Sequence, residues 1–195
     1  MKLGQMFEKE ELRDIVISVL VIAVIFAYPD FSQLPLFLLI VVIAFLFHEL
    51  AHRTIARRFG AVAIYKIWLE GLILGLVLMF MKPYGFIPFV APGAVVIYPF
   101  KFGRWGYRKV NLTQIEMGLI SISGISVNLI FALVFKLIPG GIFNLIGFVN
   151  AWLALFNLLP IPPLDGSKVM RWKASLWLVM FIVSVLLVLS YLGIL

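Results

Sequence analysis

Phe45-Leu46-Phe47-His48-Glu49-Leu50-Ala51-His52-Arg53 is the stretch from which the rest of the chain can be read. It closes a segment, Leu34 to Phe47, that holds only apolar residues and Pro35. On a helix, His48 and His52 lie one turn apart on one face, so their ring nitrogens can converge on one metal ion, with Glu49 about 100° around the helix. The same H-E-x-x-H spacing also occurs in helices whose histidines only pack or cap. Two features argue against that here. These are the only two histidines in the chain, and ionisable groups at the end of a membrane-length apolar run are costly unless they are used.

The composition sets the class. Of 195 residues, 64% are hydrophobic and 13% charged, and the mean hydropathy is +1.13, well beyond a soluble globular domain. The sequence predicts an all-α integral membrane protein, a polytopic helix bundle of about five to six spans with a short membrane-associated β-like segment. It reads as a single membrane domain over 1–195, with core spans near 35–58, 117–138 and 142–165 and an irregular insert over 64–115. The absence of cysteine removes thiolate ligands, so a metal site must be built from His, Asp and Glu. The formal charge of +7 lies in short basic clusters between apolar segments. Positive-inside topology and anionic headgroups account for such clusters, and no nucleic-acid partner is expected.

Working outward, Met1 to Asp14 mixes Lys2, Lys9 and Arg13 with Glu8, Glu10, Glu11 and Asp14, and reads as a retained, solvated cytoplasmic or interfacial helix. Ile15 to Tyr28 is a first span, and Pro29-Asp30 with Gln33-Leu34-Pro35 makes the turn into the second. The second span ends in Arg53, Arg57 and Arg58. The positive-inside rule therefore predicts a multi-pass cell-membrane protein with this end and the N-terminus in the cytoplasm. His48 then lies roughly 20 Å from Pro35, in the cytoplasmic third of the bilayer.

Ile67 to Met81 is apolar but short and carries Glu70, and Phe86 to Phe100 contains Pro88, Pro92, Pro99 and Gly93 and cannot be a regular helix. Lys101, Arg104, Arg108 and Lys109 nevertheless call for the cytoplasmic side. An outward helix, crossing or re-entrant, followed by a non-helical return through β-prone Ala94-Val95-Val96-Ile97-Tyr98 reconciles the two. Lipid cannot satisfy non-helical backbone, so Phe86 to Tyr98 is expected against the active-site helices. Met117 to Ile138, Ile142 to Leu159 and Ala174 to Leu195 complete the spans, with Pro160, Pro162 and Pro163 unwinding the chain ahead of Leu164-Asp165-Gly166.

A catalytic zinc takes three protein ligands and keeps a fourth position open. With two histidines available, the third ligand is one of nine carboxylates. Glu8, Glu10, Glu11 and Asp14 are read as solvated, Asp30 lies on the outer side, and Glu49 points away from the His48 face. Asp165 leads, because the prolines free it from helical packing at about the depth of His48, with Glu116 and Glu70 as alternatives.

His48-Glu49-Leu50-Ala51-His52, Gly124-Ile125-Ser126-Val127-Asn128 and Asn157-Leu158-Leu159-Pro160 through Leu164-Asp165-Gly166 together resemble the site-2 protease family of intramembrane zinc metalloproteases, peptidase family M50. The resemblance covers the three core spans and departs at Ile125, where the family's G-P-x-x-N motif has proline. It implies one Zn2+ per chain held by His48, His52 and Asp165, Glu49 as the base, and membrane-spanning proteins as substrates within the lipid bilayer. In relatives, membrane-embedded β elements edge the substrate path.

Asn157 or Asn128 could bind the developing oxyanion, and interhelical hydrogen bonding is an equal alternative for each. A substrate helix must be extended before it is cut. Ala94, Val95, Val96, Ile97 and Tyr98 could offer it a strand edge, or could form a lipid-facing connector. Gly118, Ser121, Ser123, Gly124 and Ser126 suit close helix packing. A non-catalytic zinc protein that holds client helices has no need of Glu49, and a metal or proton transporter would string polar groups across the bilayer rather than gather them at one depth. Nothing in the sequence sets an oligomeric state.

Overall fold

The computed structural model describes residues 9–85, 92–98, 100–103, 106–109 and 111–195. In chain order the elements are α1 (Lys9–Ala27), α2 (Leu34–Val41), α3 (Phe47–Arg58), β1 (Val62–Ile67), α4 (Leu69–Met79), β2 (Gly93–Tyr98), β3 (Phe100–Gly103), β4 (Gly106–Lys109), α5 (Gln114–Lys136), α6 (Gly141–Asn157), α7 (Asp165–Trp172) and α8 (Ala174–Tyr191). Among the described residues three helical runs are long and apolar enough to cross a membrane: Phe31–Arg58, Gln114–Lys136 and Ala174–Tyr191. Leu69–Met79 and Gly141–Asn157 are equally apolar but shorter. The chain divides into two compact units, Met1–Val41 with Ile64–Val96, and Val42–Ala63 with Ile97–Leu195.

In the first unit, α1 buries a stripe of Glu11, Asp14, Ile15, Ser18, Ile22 and Ile25, the helical spacing that lets one face pack. The two acids in that stripe correct the reading of the N-terminal carboxylates as solvated: Glu11 is 3% and Asp14 8% exposed. The reason is a neighbouring strand whose outer edge needs acceptors. The Tyr65 N–H donates to Glu11 Oε1 at 3.0 Å and the Ile67 N–H to Asp14 Oδ2 at 3.4 Å, while the Ser18 and Tyr65 hydroxyls meet at 2.8 Å. A buried backbone N–H needs a partner, and here helix carboxylates take the place of another strand.

Helix α4 then runs alongside α1 in the same direction. The Lys82 ammonium donates to the Phe26 carbonyl, and the Phe80 ring packs on Tyr28 at 5.3 Å, both at the C-terminal end of α1. By residue 92 the chain has returned to β1, where the Trp68 N–H donates to the Pro92 carbonyl at 2.9 Å, and β1 and β2 form a two-stranded sheet. α4 therefore leads from the β1 end of α1 to its C-terminal end, and Pro92 is again beside β1. The expected placement of Phe86 to Tyr98 against the active-site helices falls in part on 86–91, which lie outside the described residues.

The second unit is built on α5, against which α3, α6 and α7 pack, with α8 on α6 and α7. α5 begins in a capping box: the Glu116 N–H donates to Thr113 Oγ1 at 3.2 Å and the Thr113 N–H to Glu116 Oε2 at 2.7 Å. Ile125, Leu129, Ala132, Ala151, Ala154, Leu158, Val169 and Leu187 form the core between these helices. Ile125 is fully buried within an unbroken α5. β3 and β4 form an antiparallel hairpin in which Phe100 faces Lys109 and Gly103 faces Gly106.

Candidate metal centre

One turn of π-helix, Val42–Leu46, immediately precedes α3. Such turns insert a residue into a helix and re-aim the side chains that follow, and they recur at functional sites. On α3, His48 and His52 are 4% and 3% exposed, with their rings edge to face at 4.5 Å. Their Nε2 atoms are 2.9 Å apart. Asp165 Oδ2 lies 2.9 Å from His52 Nε2 and 3.5 Å from His48 Nε2. Among the described residues this is the single group of three or more potential ligands that converge.

Asp165 reaches the histidines because the chain unwinds after α6 and is then fastened. The Leu164 N–H donates to the Ile161 carbonyl at 2.9 Å, and Ser167 Oγ to the Leu164 carbonyl at 2.8 Å. The Trp177 indole of α8 donates to the Leu158 carbonyl at 2.7 Å. A β-carbon at Gly166 would overlap the Leu158 carbonyl, so only glycine lets the first turn of α7 sit this close to the end of α6. Gly124 plays the corresponding part on α5: its β-carbon would overlap His52 Nε2 and lie 2.8 Å from His48 Nε2. Its small size therefore keeps a space open in front of the two rings, a more specific role than general helix packing.

Three tests of fit can be made. Zinc bonded to nitrogen and oxygen at about 2.0–2.2 Å in tetrahedral geometry needs ligand atoms about 3.3 Å apart, and the three observed separations of 2.9, 2.9 and 3.5 Å bracket that value. His52 Nδ1 lies 2.7 Å from the Ile120 carbonyl, which can only accept, so Nδ1 carries the proton and Nε2 presents its lone pair. Two imidazoles and a carboxylate are also the donor set of catalytic zinc. The residues present can hold the ion.

Glu49 is buried beside this triangle, 7% exposed, and is not among the converging ligand atoms. Asn128, one turn beyond Gly124, is fully buried, and neither polar atom of its amide has a hydrogen-bond partner among the described residues. Asn157 is half-buried at the end of α6 and donates to the Leu153 carbonyl at 3.0 Å. Ala94 to Tyr98 fall within β2. Neither alternative carboxylate joins the triangle: Glu116 is engaged in the α5 cap and Glu70 is exposed in the first turn of α4. Arg53, read as part of a basic cytoplasmic end, is buried at 9% exposure.

Sequence reasoning missed three things at this site. The Ile120 carbonyl leaves no trace in residue types. The π turn has none either, since Val42–Leu46 is a plain apolar run. Lys168 could have been found, because it stands three residues after Asp165, the spacing that brings helix side chains together.

A set of membrane-length helices carrying H-E-x-x-H opposite a single carboxylate defines a metalloprotease-type centre. Comparison with known proteins agrees at the level of the whole chain. It is 42% identical over 182 residues, 88% of each chain, to a protein of Methanocaldococcus jannaschii named "Putative zinc metalloprotease". It is 28% identical over 164 residues, 75% of this chain and 72% of the relative, to a Bacillus subtilis protein bearing the same designation. The chain belongs to this family of zinc metalloproteases. No family model and no solved structure matches it.

Proposed function

We propose that the protein is an intramembrane metalloprotease of the site-2 protease type, cutting peptide bonds within or near transmembrane helices of membrane-protein substrates. The observation that carries this reading is the convergence of His48, His52 and Asp165 in a chain whose described residues include three helical runs long and apolar enough to cross a membrane, one of which carries both histidines. In this reading those three residues hold one zinc ion. A bound zinc acidifies water toward a pKa of about 7 and polarises a carbonyl.

The remaining work falls to the chain. Glu49 takes the proton of the attacking water and returns it to the leaving amine, and its burial beside the ligands keeps that proton from bulk solvent. The Asn128 amide donates to the oxygen on which charge develops, which gives its unpartnered N–H a use. Asn157 donates to the Leu153 carbonyl of its own helix, so the oxyanion role is given to Asn128. The protein is multi-pass in the cell membrane with its N-terminus in the cytoplasm, and α4 with the return to β2 contributes an even number of traverses.

The substrate enters as an extended segment and adds to the outer edge of β2. In the observed sheet, Glu11 and Asp14 occupy the outer edge of β1, which leaves the edge of β2 without a strand neighbour among the described residues. An unwound substrate in lipid has N–H and C=O groups that each cost several kcal/mol unless paired. Mapping the cut by mass spectrometry tests the reading: purified protein in liposomes is given a peptide with one transmembrane segment and soluble flanks. Cleavage inside or at the border of the apolar segment is expected. Cleavage confined to the soluble flanks, or equal cleavage of a soluble unfolded protein, would overturn it.

A further inference from the structure

The two oxygens of Asp165 have different surroundings. Oδ2 faces the Nε2 atoms of His52 and His48 at 2.9 and 3.5 Å. Oδ1 accepts from the Lys168 ammonium at 3.1 Å. α7 starts at Asp165, so Lys168 sits one turn further along the same face. The lysine side chain is 23% exposed and the carboxylate 14%, which sets this pair apart from solvated surface pairs of little consequence. The turn under both residues is itself held, with Ser167 Oγ bonded to the Leu164 carbonyl and Arg171 Nε donating to the Ser167 carbonyl at 2.9 Å.

A carboxylate can bind a metal through one oxygen or both, and two-oxygen binding suits larger, hard cations of higher coordination number. In a site with only two other ligands, that choice decides whether a position stays open for water and substrate. We propose that Lys168 is a positioning residue that engages Oδ1 of Asp165, so that the carboxylate presents Oδ2 alone and the centre stays three-liganded and selective for zinc. This inference rests on the reading of His48, His52 and Asp165 as a metal centre. It assigns to Lys168 a part in metal choice, distinct from a helix-stabilising pair or a topology charge.

The test uses full-length protein in detergent, with cobalt(II) as a visible reporter and zinc and manganese(II) as competitors. Wild type and Lys168→Arg, which keeps a cationic donor, are expected to give the strong absorption of four-coordinate cobalt. Lys168→Met is expected to give the weaker spectrum of higher coordination. Its zinc affinity should fall by roughly 10–100-fold, the range typical of outer-shell partners, with manganese affinity reduced less or increased. If Lys168→Met does not fold, Lys168→Ala removes the same ammonium and carries the same readings. A four-coordinate spectrum with unchanged zinc-over-manganese preference in a folded variant lacking the ammonium would overturn the proposal. Failure of wild type to bind cobalt or zinc would instead remove the metal-centre reading beneath it.

Discussion

At the scale of single residues, the account makes separable claims about who holds metal and who keeps space for it. Asp165→Ala and His48→Ala should lose zinc, measured by elemental analysis after dialysis, whereas Glu116→Ala should keep it and lose only the side-chain half of the α5 capping box, since its backbone N–H still donates to Thr113. Gly124→Ala should lose most of its zinc while staying folded, because its β-carbon intrudes on both histidine rings and overpacking of this kind costs roughly 1–3 kcal/mol. Full zinc occupancy in Asp165→Ala would return the third-ligand role to Glu70 or Glu116. Much of this was legible in the sequence. The i, i+4 histidines needed only helical geometry, and elimination among the carboxylates led to the residue that lies 2.9 Å from His52. Gly124 was read as a packing glycine because nothing in the sequence indicates which helix it faces. Glu11 and Asp14 were misread because a charged N-terminus normally marks solvent, and the strand edge that draws them inward lies about fifty residues away in the chain.

At the scale of elements, the informative feature is the sheet edge. The Tyr65 and Ile67 N–H groups point to α1 and the Trp68 N–H points to Pro92. With the Pro92 carbonyl facing β1, strand alternation predicts that the backbone N–H groups of residues 94 and 96 face β1 and those of 95 and 97 face outward. Val95→Pro removes an outward donor and leaves the β1 pairing in place, so turnover of a membrane-embedded substrate should fall about tenfold or more with zinc content unchanged. Gly or Pro placed in the substrate helix near the cut should speed cleavage, because the bond must leave its intrahelical hydrogen bond first. Wild-type rates for Val95→Pro, with no effect of helix breakers in the substrate, would end the strand-addition mechanism. β2 was visible in the sequence as a β-branched run among prolines. Its partner β1 was not, because Val62–Ile67 lies between a helix end and an apolar helix and carries no turn signal of its own beyond Gly60.

At the scale of the whole molecule, the claims concern topology and chemistry. Single cysteines at Arg58, Gly106 and Lys173 should label from the cytoplasmic side, and those at Ser32 and Gly141, both exposed in the structure, only from outside. External labelling at Gly106 would refute the return path after α4. The number of spans was the least legible quantity, since α4 and α6 are apolar enough to enter a bilayer but shorter than the length that settles a crossing. The central claim is that Glu49 performs proton transfer at a metal held by other residues. Its most direct test is reconstitution of wild type and Glu49→Gln in liposomes with one transmembrane peptide substrate, at matched and measured zinc content. The account predicts near-stoichiometric zinc in both proteins and cleavage by wild type alone, with Glu49→Gln slower by at least about 100-fold. Equal cleavage by the two zinc-loaded proteins would contradict it.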